Sequence, residues 1–108
     1  MSIIQERIQK DLSENSIALY MKGTAQAPLC GFSAVVVQIL NSLKVPFKDI
    51  NVLADSEIRQ GIKDYSNWPT IPQLYIKGEF IGGCDIIKEM HQEGELEVLL
   101  KEKGLLGF

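Results

Sequence analysis

Apolar residues recur every four positions at Ile4, Ile8 and Leu12, a spacing that predicts a short amphipathic helix ending near Asn15. The run Ile17-Ala18-Leu19-Tyr20-Met21 is apolar without alternation and too short for a helix, so it reads as a buried strand. From Ser33 to Leu43 the spacing turns helical, with Val36, Ile39, Leu40 and Leu43 on one face, until Val45-Pro46 breaks it. Phe47 to Val52 then reads as a second strand, completing a strand-helix-strand unit of the kind that makes a right-handed parallel crossover. Asp55 is placed to cap a third helix, with Ile58, Ile62 and Tyr65 inward and Arg59 and Lys63 outward, which stops at Asn67-Trp68-Pro69. Gln73 to Ile76 and Glu79 to Ile81 flank Lys77-Gly78, an antiparallel hairpin with a two-residue turn. Two helical stretches follow around Gly94, one opened by Asp85 and carrying Ile86, Ile87 and Met90, the other carrying Leu96, Leu99 and Leu100. The expected class is α/β, with a four-stranded mixed sheet flanked by helices.

Composition narrows the function classes. A length of 108 residues suits one domain over residues 1–108, large enough to fold on a single core. A formal charge of -3 with interspersed Lys and Glu lacks the basic stripe that a nucleic-acid partner requires. No apolar run reaches membrane-spanning length, and Met1 to Glu6 lack the basic flank of a signal peptide, so a cytoplasmic location is expected. Two cysteines, Cys30 and Cys84, fit a reducing compartment in which thiols serve chemistry, not scaffolding.

Cys30-Gly31-Phe32-Ser33 carries the strongest chemical signal, because it puts a thiol on the first turn of the helix after the first strand. There the unpaired N–H groups and the positive end of the helix dipole favour thiolate, making the sulfur a nucleophile or a metal ligand. Ser33 stands where a second cysteine would close an internal disulfide, so a partner in thiol exchange must come from another molecule. Gly31 permits close approach to the backbone, Phe32 is placed to cover the thiol, and Lys22 adds a cation. Alone, Lys22 and Arg59 are ordinary surface charges, and Cys30 a small buried hydrophobe. Gly82-Gly83-Cys84-Asp85 is either a tight turn or a helix N-terminus suited to a carboxylate. Cys84 reads mainly as a packing residue whose amide matters more than its sulfur, with a disulfide to Cys30 as a minor alternative. His91, without metal-ligand spacing, reads as an exposed polar residue, and Met21 and Met90 as core.

Taken in order, Lys22-Gly23-Thr24, Pro28, Cys30-Gly31-Phe32-Ser33, Trp68-Pro69-Thr70-Ile71-Pro72-Gln73-Leu74 and Gly82-Gly83-Cys84-Asp85 resemble the monothiol glutaredoxins named for the CGFS sequence, from about residue 3 to about residue 103. The resemblance implies a thioredoxin-like fold with a cis Ile71-Pro72 bond. It also implies a glutathione site made by Lys22, Cys30, Phe32, Arg59, Thr70, Ile71, Pro72, Gly83, Cys84 and Asp85. In that site Lys22 contacts glutathione, Arg59 meets its glycyl carboxylate, and the Ile71 N–H and C=O pair with its cysteinyl unit. The Cys84 and Asp85 amides hold the γ-glutamyl carboxylate, and the Asp85 side chain meets the ammonium. A [2Fe-2S] cluster needs four ligands, usually thiolates. With Cys30 as the metal ligand, two chains and two glutathiones complete the set in a homodimer. The resemblance further implies delivery to apo iron-sulfur proteins and heterodimers with BolA-like proteins. The alternative is a glutathione-dependent thiol-disulfide oxidoreductase in which Cys30 attacks a mixed disulfide and a second glutathione releases it.

Overall fold

The strand Ile17–Met21 (β1) is buried at every position, and this explains its unbroken apolar run: it lies inside the sheet with covered faces on both sides. In the computed structural model, which describes residues 2–106, it follows helix Ile3–Glu14 (α1) and precedes helix Gly31–Ser42 (α2). Strand Lys48–Asn51 (β2), helix Ser56–Ser66 (α3), strands Gln73–Ile76 (β3) and Glu79–Gly82 (β4), and helices Cys84–Gln92 (α4) and Glu95–Glu102 (α5) complete the order. The sheet runs β2-β1-β3-β4, with β1 and β2 parallel and the other pairs antiparallel. This is the mixed four-stranded sheet that the hydrophobic pattern predicts.

Alternating residues of β1 feed two cores. Ile17, Leu19 and Met21 join Val36, Leu40, Leu74, Ile87, Leu96 and Leu100 under α2, α4 and α5. Ala18 and Tyr20 join Ile8, Leu12, Ile58, Ile62 and Tyr75 under α1 and α3. At Gly61 a side chain would run into the Ile4 Cγ2 atom, so glycine there lets α1 settle against α3. Asp55 caps α3 as its sequence position suggests, its Oδ1 accepting from the Glu57 and Ile58 N–H groups while Oδ2 pairs with Arg7 at 3.0 Å. The hairpin turn has positive φ at both Lys77 (52°) and Gly78 (79°), the geometry of a type I′ turn.

Several expectations are corrected. The second strand is shorter than Phe47 to Val52, since only Lys48 to Asn51 pair with β1. Cys30 is the residue before α2, with extended backbone (φ -148°), not a member of its first turn. Tyr65 does not point inward; it is 36% exposed, and its ring leans on Tyr75 with centroids 6.2 Å apart. Ile86, in the first turn of α4, is also exposed, because Ile87 takes the core position. His91 is half-buried instead of exposed, with Nδ1 enclosed.

Candidate functional site

Three segments separated in sequence meet at one groove of about 610 Å³. They are the end of β1 with the start of α2, the stretch leading into β3, and the start of α4, while α3 supplies two cations from the side. All ten residues expected in the site line this groove: Lys22, Cys30, Phe32, Arg59, Thr70, Ile71, Pro72, Gly83, Cys84 and Asp85. It also takes in Lys63, Trp68, Pro69 and Ile86, which the sequence analysis did not single out for a site. Arg59 and Lys63, expected to face outward, are half-buried and stand one helical turn apart on the groove side of α3. That spacing is the signal that pairs them, but periodicity alone does not reveal that the outward face of α3 borders a groove.

The electrostatics around Cys30 come from its own helix start. Its thiol is held below the ordinary cysteine range, first by the Ser33 backbone N–H, which burial opposes, and then by the Phe32 N–H, the Lys22 ammonium and the Ser33 hydroxyl. Ser33 is completely buried, and its Oγ accepts from the Lys22 N–H at 3.1 Å. Ser33 therefore fastens the end of β1 to α2, in addition to occupying the place of a resolving cysteine. Phe32, expected to cover the thiol, is instead 63% exposed beside the groove, and Leu29 on the other flank of Cys30 is 69% exposed.

Cys84 opens α4 half-buried against the core, and its thiol is pushed up by burial first, then by Asp85 and Cys30, with Lys88 opposing. Two thiols of one groove thus differ in opposite directions. Limiting iodoacetamide, followed by peptide mass spectrometry, is expected to label Cys30 ahead of Cys84 at neutral pH. As pH rises, the labelling of Cys30 should climb first, because its thiolate forms at lower pH. Equal rates at the two positions would contradict this assignment.

The wall from Trp68 to Pro72 is built by Gln73. This side chain is completely buried, its Nε2 donates to the Trp68 and Thr70 carbonyls at 3.1 and 3.2 Å, and its Oε1 accepts from the Tyr75 hydroxyl at 3.0 Å. The Ile71-Pro72 bond is cis, as the resemblance implies. Opposite this wall, α4 begins at Gly83 with no side-chain cap, which leaves its first N–H groups for a ligand. A side chain at Gly83 would approach the Pro72 carbonyl and the Trp68 Nε1 to 3.3 Å, so glycine keeps the two walls close. The Trp68 Nε1 is itself enclosed without a hydrogen-bond partner. Among the described residues, no three His, Cys, Asp or Glu side chains gather where they would hold a metal ion, and no helix is long and apolar enough to cross a membrane.

The glutaredoxin family model matches residues 17–81. The "Probable monothiol glutaredoxin 2" of Rickettsia typhi is 56% identical over 99 residues, covering 92% of this chain and 89% of its own. The solution structure of reduced apo GrxS14 from poplar superposes with a TM-score of 0.82 at 48% identity, covering 92% of this chain and 91% of that one. A buckwheat glutaredoxin crystallised as its glutathione complex superposes with a TM-score of 0.80 at 25% identity, over 96% of this chain and 92% of its own. With the cysteine at the start of α2, serine three positions on, and the cis proline facing it, these likenesses show that the chain belongs to the glutaredoxin family, among its monothiol members.

Proposed function

We propose that the protein binds glutathione in the groove and uses it, together with Cys30, to hold a [2Fe-2S] cluster shared across a homodimer, which it passes to apo iron-sulfur proteins. The observation that carries this reading is the groove's combination of one thiolate-favouring sulfur with a charge pattern matching glutathione. Lys22, Arg59 and Lys63 line the same groove as Asp85. Glutathione carries two carboxylates and one ammonium, so cations toward its glycyl end and the Asp85 carboxylate with the free α4 amides toward its γ-glutamyl end leave no charge unpaired. Ile71 then offers its backbone to the cysteinyl unit, which puts the ligand sulfur beside Cys30.

The cluster, the cargo in this reading, needs four ligands, usually thiolates. One chain supplies one suitable thiolate, since the Cys84 thiol is pushed up and half-buried against the core. Two Cys30 thiolates and two glutathiones complete the set, and the exposed apolar side chains Leu29 and Phe32 flanking Cys30 supply surface for a second copy to cover. A BolA-like partner would replace one copy at the same face. A cluster held half by small molecules dissociates and transfers readily, as a carrier requires.

Anaerobic reconstitution with iron, sulfide and glutathione tests this, read by visible absorbance and size-exclusion chromatography beside a control without glutathione. A coloured dimer that forms only with glutathione is the expected result. A colourless monomer that turns over a glutathionylated substrate would assign Cys30 to the oxidoreductase reaction instead.

A further inference from the structure

We propose that Asp49 and Asn51, two side chains of the edge strand β2 outside the groove lining, are positioning residues that hold the Lys22–Cys30 turn and so set the distance between the cation and the sulfur that flank bound glutathione. The inference rests on the glutathione reading above. Lys22 and Cys30 stand at the feet of a narrow hairpin in which Gly23 bridges to Pro28 and the Leu29 N–H donates to the Lys22 carbonyl at 2.9 Å. Inside it, Thr24 and Ala27 exchange backbone hydrogen bonds, and the Ala27 N–H also reaches the Thr24 hydroxyl. Gly23 sits at φ +86°, where a side chain would lie 2.6 Å from both the Ala27 carbonyl and the Leu29 nitrogen, so the hairpin is folded as tightly as backbone permits.

That hairpin is tied to β2 by side chains distant in sequence. The Asn51 Oδ1 accepts from the Gly23 N–H and from the Leu53 N–H, both at 3.0 Å. The Asp49 Oδ2 accepts from the Ala25 N–H at 2.8 Å. Packing contributes less to holding the turn: Ala25 touches the core, but Thr24, Gln26 and Ala27 are exposed, and a cavity of about 430 Å³ opens behind the turn beside Gln26, Asn41, Phe47 and Asp49. The turn therefore has room to move toward β2's outer end, and these two side chains are what fix it. Removing an acceptor leaves a backbone N–H to find water, and the cheapest way for it to do so is to swing the turn outward, taking Lys22 with it.

The test measures affinity for reduced glutathione by isothermal titration in the full chain, comparing Asn51→Ala and Asp49→Ala with Asn51→Asp and Asp49→Asn, which keep an acceptor oxygen. Each alanine variant is expected to bind about fivefold more weakly, and each conservative variant within about twofold of the parent, corresponding to the one hydrogen bond that each side chain makes to the turn. Amide hydrogen exchange in the unmodified protein provides a second reading that needs no variant: Gly23 and Ala25 should exchange more slowly than the exposed Gln26. Unchanged affinity in the alanine variants, or loss of affinity that the conservative variants do not restore, would overturn the positioning role. If the alanine variants fail to fold, or if the parent itself binds no glutathione and the functional reading falls, exchange at Gly23 and Ala25 decides alone, and fast exchange there overturns the proposal.

Discussion

Cys30→Ser is expected to abolish both cluster assembly and thiol exchange while leaving the fold at least as stable as the parent. The sulfur is the one group in the groove that is both accessible and held toward thiolate, and an alcohol at the same place stays protonated at any pH the protein survives. Visible absorbance after reconstitution should fall to background, and turnover of a glutathionylated substrate should vanish with it. Stability behaves differently because of where Cys30 sits. It is the N-cap of α2, where the Ser33 and Phe32 N–H groups favour its sulfur without making a capping hydrogen bond of full geometry, whereas serine is among the preferred caps, worth about 1 kcal/mol over residues that cannot accept. The melting temperature should therefore hold or rise by a few degrees, on the order of 4–8 °C per kcal/mol for a domain of this size. A coloured Cys30→Ser dimer would overturn the ligand assignment, and a large fall in melting temperature would show that the sulfur has a packing role.

The contrast between that residue and others in the groove explains what the amino-acid order reveals. Cys30 announces itself by local pattern: an apolar strand, a proline, a helix start, and serine three positions on. The hairpin over Lys77-Gly78 and the cap at Asp55 are equally local and stand where the pattern puts them, while Cys30 stands at the cap just before the turn expected for it. Tyr65 and Ile86 defeat the same logic. Both fall near the apolar stripe of an amphipathic helix, yet Ile58 and Ile62 on α3 and Ile87 on α4 take the buried positions, and Ile86 is left lining the groove. Gln73, Asp49 and Asn51 carry no periodic signal at all. The partners of Gln73 lie within five residues but show no pattern in the sequence, and those of Asp49 and Asn51 lie far off: the Gly23 and Ala25 amides are 28 and 24 residues from the side chains that accept from them. Such contacts exist only once the parallel pairing of β1 with β2 has formed, and no window along the chain contains them. Identity of the site was thus legible from motifs, but the means by which the fold holds it were not.

Gln73→Leu should cause the largest loss of stability of any single change at the groove, about 2–4 kcal/mol, and should loosen glutathione binding as a consequence. Leucine fills nearly the same volume, so the effect isolates hydrogen bonding from packing. The side chain is 0% exposed, and its amide serves three partners: the Trp68 and Thr70 carbonyls and the Tyr75 hydroxyl. Deleting it takes from the Tyr75 hydroxyl its buried acceptor and leaves it only Ser66, in a place where burial already pushes that phenol up to about 12. It also frees the segment from Trp68 to Thr70, the groove wall that leads into Ile71. Tyr75→Phe supplies the comparison: it removes only the hydroxyl, keeps the ring contacts with Tyr20 and Phe80, and should cost about 1 kcal/mol. Urea unfolding of the two variants separates the contributions, with the midpoint of Gln73→Leu falling two to four times as far as that of Tyr75→Phe. Equal shifts would mean that the two carbonyls find water at no cost, and that the wall beside the cis proline is held by the aromatic layer of Trp68, Phe80 and Tyr75 instead of by Gln73.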